Sequence, residues 1–448
     1  SVSKNDPCAE GDISQFGALT TALAATIGTG NIVGVATGLL CGGPGAIFWM
    51  WLTGVFGIAT KYSETYISMK YRVKDANGHM LGGAMYALER GFKHKGLGKF
   101  LAALFALFTA IASFGIGASV QSNSLAGALT SSSLIPGASE IPTWLIGIVV
   151  TVLVAIVIIG GLKKVSKVCE KLVPIMAIFY VACCLVIIGM NGAYLWDAIV
   201  TIIACAFTGQ AAFGGAVGSG IMLALQYGFK RGLFSNESGL GSAPLVAASA
   251  ISKNPARQAL VSMSGTFWDT VVICLITGLM LVTSLLANPD LAAIYNNTVL
   301  ASNNLSVDAA VGIFSGGAAL ATACFESIPV LGPLVLVVGL LCFTYSTMLG
   351  WSQYGDRAIT YLFGTKGIRP YQVAFLLFVF WGCIGGGDLV WNLSDISNAL
   401  MAVPNCIAVL VLSGVIAKGT KYWIYEGRLE EEDTTPIPTV GTVDHPNV

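Results

Sequence analysis

Apolar residues in this chain run in blocks of about 20, the helix length that crosses the hydrocarbon of a bilayer, with short polar stretches between them. Ten blocks are legible, at residues 15–40, 44–69, 100–126, 143–161, 172–190, 195–225, 259–287, 333–361, 371–384 and 389–417. Each predicts a membrane-spanning helix. The polar stretches carry their charges in alternation. The 23 Lys and Arg lie before the first block, toward the end of the second (Lys61), in every second loop, or in the C-terminal tail; the loops hold residues 70–99, 163–171, 230–257 and 357–369. The longest intervening loop, residues 288–327, has Asp290, Asp308 and Glu326 and no basic residue. Cytoplasmic loops collect Lys and Arg. The pattern therefore predicts ten spans, with residues 1–14 and the tail 418–448 both cytoplasmic. The acidic, then Thr- and Pro-rich stretch from Glu430 is expected to be disordered.

Composition agrees. The chain is 55% hydrophobic and 10% charged, against about 25% charged in soluble domains, so it reads as an integral membrane protein. A formal net charge of zero gives no electrostatic case for nucleic acid. The 11 Cys lie mostly inside apolar runs and read as small membrane-core residues, not a redox or metal set. His79, His94 and His445 all fall in loops or the tail, which leaves no intramembrane triad and argues against an enzyme. No GxxxxGK[ST] string appears, so ATP is not the expected energy source.

Two blocks are interrupted by polar residues and glycine. Gly28-Thr29-Gly30-Asn31 sits in the first block, and Phe207-Thr208-Gly209-Gln210 followed by Phe213 and a run of glycines sits in the sixth. Glycine in a membrane helix commonly serves close packing. The shared ordinal position, first and sixth, points further. Five spans per half place the halves in opposite orientation, the pattern of an inverted-repeat transporter with discontinuous helices at a central site. Half-helix N-termini offer N–H groups to an anion, and unwound carbonyls suit a cation, so one site can hold a zwitterion and an ion together. A channel would need a continuous polar path; paired interruptions favour an occluding carrier.

Longer strings carry a resemblance. Gly42-Gly43-Pro44-Gly45-Ala46-Ile47-Phe48-Trp49-Met50-Trp51, the string from Lys230 to Pro244 that includes Asn236-Glu237-Ser238-Gly239-Leu240-Gly241-Ser242, and Gly350-Trp351-Ser352 resemble the alanine or glycine:cation symporter family of prokaryotes. The resemblance implies an all-α polytopic membrane protein of leucine-transporter-like fold. Its ten core helices form two inverted five-helix repeats, residues 15–190 and 191–417, and a further family helix before Gly11 is absent from this chain. It implies Na⁺-coupled symport of alanine or glycine across the inner cell membrane by a monomer without cofactors, with proton coupling as the alternative. The loop at 288–327 corresponds to an outer cap over the vestibule.

Roles follow from that resemblance. The substrate carboxylate is expected at the backbone N–H groups of Thr29 and Gly30, with Asn31 either a side-chain ligand or a cap on the helix break. The ammonium is expected at carbonyls around Phe207, Thr208 and Gly209 and at the amide oxygen of Gln121, whose alternative is an interhelical hydrogen bond. Phe207, Phe213 and Trp351 are candidate walls. The sodium ligands are expected to be the carbonyls of Ala24, Ile27 and Phe343 with the hydroxyls of Ser346 and Thr347, which otherwise bond their own helix. Asp269, inside the seventh block, is a functional candidate because ionisable groups in a membrane are costly; structural or gating work is favoured over substrate contact. Lys61 and Glu64 have helical pair spacing.

Overall fold

The protein is described by a computed structural model covering residues 9–132, 134–208, 220–303, 310–385 and 387–440. It is almost entirely helical. The first span is two half-helices. Ser14 caps α1 (Gln15–Thr26), its Oγ accepting the Gly17 N–H at 2.8 Å. Extended residues Ile27 and Gly28 and one 3₁₀ turn over Thr29–Asn31 then lead into α2 (Val33–Gly42). The second span, α3 (Gly45–Lys70), starts directly after Pro44, whose fixed φ suits a helix start. A two-stranded hairpin (β1, Val73–Lys74; β2, Met80–Leu81) and α4 (Ala84–Gly91) follow.

The third span is α5 (Lys95–Ala112), a π-helical turn at Ser113–Ser119, and α6 (Val120–Thr130). Next come α7 (Thr143–Ile158) and α8 (Gly161–Met190), then α9 (Leu195–Thr208), α10 (Ile221–Asn236) and the short α11 (Pro244–Ala247). The seventh span is α12 (Pro255–Thr266), a π-helical turn at Phe267–Cys274, and α13 (Leu275–Ala287). Helices α14 (Pro289–Asn303) and α15 (Ala310–Glu326) precede α16 (Leu331–Phe363), α17 (Ile368–Ile384), α18 (Gly387–Val411) and α19 (Ser413–Thr420). Among the described residues six helices are long and apolar enough to cross a membrane. Outward faces of α7 and α8 expose Val149, Val152, Ile156, Ile175 and Ile178, an apolar surface that lipid covers.

The sixth span departs from expectation. Its partner is α3, and the two run side by side in the same direction. Gly228 lies against Ala46 and Trp49, Gly232 against Met50 and Thr53, and Ser238 against Gly57. The Lys61 ammonium reaches the Glu237 carbonyl at 3.1 Å. Residues 221–243 therefore accompany α3 from its beginning past its middle, where an exposed loop was expected. Helix α9 is an additional element beside the start of α3: Cys205 and Ala206 backbone touch Gly45, and Trp49 Nε1 donates to the Ala206 carbonyl at 3.2 Å. Lys230 and Arg231 accordingly lie within the sixth span, paired with Asp395 of α18 at 2.8 and 3.1 Å. The loop that follows keeps Lys253 and Arg257.

The described residues nearest each chain end meet at one face. The Asp12 and Ile13 amides donate to the Ser249 carbonyl, and the Ile251 amide donates to the Ile13 carbonyl at 2.8 Å. The tail is not loose over its described part. The Lys74 amide donates to Pro438 and the Val440 amide to Lys74, both at 2.8 Å, adding an extended segment to the hairpin. Glu430 pairs with Arg257 at 2.8 Å and the Asp433 amide donates to the Lys253 carbonyl at 2.7 Å. Composition alone missed these pairings because each needs a partner more than 170 residues away. Residues 441–448 lie outside the described residues. At the opposite face, Gly317 of α15 packs on Thr37 of α2 and Tyr295 of α14 donates to the Leu39 carbonyl at 3.4 Å, so this pair of helices covers the end of the first span.

Candidate functional site: two helix breaks on one carboxylate

In the first break, helical hydrogen bonding stops at Ile27, whose N–H still reaches the Leu23 carbonyl. Asn31 closes the gap, its Oδ1 accepting the Gly28 N–H at 2.8 Å. The Thr29 N–H donates to Gln121 Oε1 of α6 at 3.2 Å, while Gln121 Nε2 donates to the Ile116 carbonyl at 3.0 Å. Thr29 Oγ1 is fully buried and has no partner among the described residues. A buried hydroxyl left so costs about 1–3 kcal/mol.

The second break lies in the sixth span at residues 237–243, between α10 and α11. Three residues there have left-handed backbone, Glu237 (φ 55°), Gly239 (φ 91°) and Gly241 (φ 74°). Glycine accepts that conformation without a Cβ clash, so the two glycines let the chain turn twice within a buried segment. The breaks are neighbours: a Cβ on Gly30 would come within 3.1 Å of the Phe234 ring.

Asp269 joins them. It sits in the π-helical turn of the seventh span, fully buried. Its Oδ1 accepts from Asn31 Nδ2 at 2.8 Å; its Oδ2 accepts from Ser235 Oγ at 2.9 Å and Thr270 Oγ1 at 2.6 Å. Cys274 Sγ lies 3.4 Å from Asn31 Nδ2 and 3.2 Å from Ser235 Oγ. A π-helical turn widens the helix locally and is common at functional sites. Here it points one carboxylate at the first break and at the last turn of α10, just ahead of the second.

On the other side of the first break, α16 supplies oxygen donors. Thr347 Oγ1 lies 3.0 Å from the Ala24 carbonyl and 3.2 Å from that of Ile27. These three oxygens, drawn from two helices, suit a hard cation. Ser346, next to Thr347, turns its hydroxyl back to the Phe343 carbonyl at 2.9 Å and toward Met176 Sδ at 3.5 Å. One turn along, Trp351 is fully buried and donates its indole N–H to Glu237 Oε1 at 2.8 Å. Beside Gly30, the Phe234 and Trp391 rings stack with centroids 5.4 Å apart, with the Arg231 guanidinium over both.

The structure thus brings together Ala24, Ile27, Thr29, Gly30, Asn31, Gln121, Thr347 and Trp351. Asn31 acts as the cap on the break, both ends of its amide engaged, and Gln121 makes an interhelical bond. Phe207 and Thr208 are placed elsewhere. Phe207 is 53% exposed, its ring against Phe48 and Trp49 at 5.2 and 5.5 Å, and Thr208 bonds back to the Ala204 carbonyl. Gly209 and Phe213 lie outside the described residues. The residues actually facing Gly30 are Phe234 and Ser235, in a segment read from hydropathy as part of a loop because Lys230, Arg231 and Glu237 depress the average. Its signal was the Glu-Ser-Gly-Leu-Gly-Ser string just before Pro244: glycines two apart ahead of a helix-starting proline.

Comparisons with known proteins agree with this architecture. Residues 1–436 match the sodium:alanine symporter family. Sodium/alanine symporter AgcS of Methanococcus maripaludis is 49% identical over 93% of this chain and 85% of its own length. The probable sodium/glutamine symporter GlnT of Bacillus subtilis is 33% identical over 91% of this chain and 78% of its own. The crystal structure of MhsT in complex with L-phenylalanine superposes with a TM-score of 0.56 at 16% identity, covering 90% of this chain and 89% of that one, which bears on the fold alone. The fold is leucine-transporter-like, with two inverted five-helix repeats. The chain, a multi-pass membrane transporter and not an enzyme, belongs to the sodium:alanine symporter family.

Proposed function

We propose that the protein imports a small neutral amino acid, alanine or glycine, together with Na⁺, by alternating access at the junction of the two breaks. The observation that carries this reading is the pairing of two half-sites on the first break. Thr347 Oγ1 with the Ala24 and Ile27 carbonyls forms a cluster of oxygens. The Thr29 N–H, on Gln121 Oε1, adjoins it: a Cβ on Gly28 would lie 2.6 Å from Thr347 Oγ1 and 3.2 Å from Gln121 Oε1, and the unpartnered Thr29 Oγ1 belongs to the next residue. Na⁺ is taken by the oxygen cluster, with Phe343 and Ser346 adjoining it. The amino acid's carboxylate takes the place of Gln121 Oε1 on the Thr29 N–H, and that of Gly30 adds to it; the freed Gln121 oxygen then accepts from the ammonium. The stacked Phe234 and Trp391 close one side and Trp351 the other, so bulk selects short side chains. Discrimination by one methylene is modest, about 1–3 kcal/mol. The face bearing both chain ends, where the basic loops gather, is the cytoplasmic one.

Uptake of labelled alanine into liposomes, with Na⁺ and pH gradients imposed separately, tests this reading. A Na⁺ gradient alone drives accumulation, and Thr347→Ala raises the Na⁺ concentration for half-maximal uptake by about tenfold, the loss of about 1.4 kcal/mol of binding, with the alanine KM at saturating Na⁺ little changed. Accumulation on a proton gradient alone, indifferent to Na⁺, would instead establish the proton-coupled alternative.

A further inference from the structure

Lys61 and Glu64 form an ion pair in a position unlike that of an ordinary surface bridge. Their charged atoms are 3.2 Å apart, and the two residues are 2% and 1% exposed, in the second half of α3. Each partner also touches the second helix break, and each touches the end of opposite polarity. The Lys61 ammonium donates to the Glu237 carbonyl at 3.1 Å, immediately after α10. Glu64 Oε2 accepts the N–H groups of Gly239 at 3.1 Å and Gly241 at 3.2 Å, on the approach to α11. Asn405 of α18 completes the arrangement, its Nδ2 donating to Glu64 Oε2 and to the Gly239 carbonyl, both at 2.9 Å.

A broken helix leaves carbonyls unpaired on one side and amides on the other, with partial negative charge at the first and partial positive charge at the second. In hydrocarbon these groups must find protein partners. We propose that Lys61 and Glu64 are positioning residues that hold the second break open: the ammonium joins the Leu240 N–H on the Glu237 carbonyl just after α10, and the carboxylate stands in for the missing acceptors of the Gly239 and Gly241 N–H groups ahead of α11. Fixing residues 237–241 also fixes Ser235 on Asp269 and Glu237 on Trp351, which flank the junction. The effect on substrate affinity rests on the site reading above; the effect on the break does not.

Polarity separates this clamp from a generic salt bridge. Exchanging the residues (Lys61→Glu with Glu64→Lys) keeps an i, i+3 ion pair but sets a carboxylate against a carbonyl and an ammonium against two N–H groups. The full chain is reconstituted as the parent, Lys61→Arg, Glu64→Gln, Glu64→Ala and the exchanged pair. Hydrogen exchange of the Gly239 and Gly241 amides is followed without substrate, and alanine KM and Vmax per molecule are measured with Na⁺ saturating. Glu64→Ala is expected to speed exchange at both glycines at least tenfold and raise KM at least tenfold, with Vmax within threefold. Lys61→Arg stays near the parent, Glu64→Gln falls between, and the exchanged pair is as impaired as Glu64→Ala. Parent-like exchange and uptake in the exchanged pair, or unchanged exchange in Glu64→Ala and Glu64→Gln, overturns the proposal. Faster exchange with an unchanged KM upholds the clamp and counts against the break as a wall of the substrate site.

Discussion

Asp269→Ala is expected to abolish Na⁺-driven alanine uptake, lowering Vmax/KM by at least a hundredfold, while Asp269→Asn stays within about tenfold of the parent. The carboxylate takes three hydrogen bonds, from Asn31, Ser235 and Thr270. Alanine leaves these donors without an acceptor in a buried, low-dielectric place, at a cost of about 1–3 kcal/mol each. A combined loss of about 3 kcal/mol already corresponds to more than a hundredfold. The two breaks also lose their common tie, so the Asn31 cap and Ser235 are free to shift. Asparagine restores the tie. Its Oδ1 accepts from Asn31 Nδ2, and its amide N–H groups donate to the Ser235 and Thr270 hydroxyls, which accept as readily as they donate. Uptake per reconstituted molecule, with the Na⁺ dependence measured alongside, decides between roles. If Asp269→Asn were as inactive as Asp269→Ala, the negative charge itself would be at work, as a cation or proton ligand, and the positioning role would fail.

Gly241→Ala should remove most folded protein from the membrane and most transport from what remains. Gly241 has φ 74°, and a Cβ there would lie 2.5 Å from Asn405 Oδ1 and 3.0 Å from the Phe105 ring. The left-handed conformation alone costs a non-glycine residue about 1–2 kcal/mol. The overlap adds to that, because Asn405 is held by its own bonds to Glu64 and Gly239. Gly265 in α12 is the matched control. A Cβ there meets nothing closer than 3.7 Å, and alanine is the better helix former by about 1 kcal/mol, so Gly265→Ala should keep parent-like amounts and activity. Fluorescence-detected gel filtration of tagged variants reads folded protein. A Gly241→Ala chain with the parent's elution profile and uptake would show that the second break does not need this turn.

How far the sequence revealed the molecule varies with the kind of signal. Outside the sixth span, the described helices long and apolar enough to cross a membrane follow from apolar blocks, since lipid selects a long apolar stretch regardless of the partner. The first break is legible because Gly28-Thr29-Gly30-Asn31 interrupts a block that is otherwise apolar. The second was misplaced for the converse reason. Residues 230–243 carry Lys230, Arg231 and Glu237, whose compensation by Asp395, Lys61 and Trp351 comes from other helices, and hydropathy sees the charge without the partner. The same blindness hid the Asp269–Ser235 contact and the docking of the tail. The oxygen cluster at Ala24, Ile27 and Thr347 was reached through family resemblance, because no local pattern ties a threonine to carbonyls more than 300 residues away.

The central claim is that substrate and ion meet at the junction of the two breaks. Its most direct test is an experimental structure of the protein with Na⁺ and alanine bound, at a resolution that defines the ligands. The account predicts the alanine carboxylate on the Thr29 and Gly30 N–H groups, and the ion among Ala24 O, Ile27 O and Thr347 Oγ1. Alanine bound away from Thr29 and Gly30, with the Gln121 oxygen still on the Thr29 amide, would contradict it.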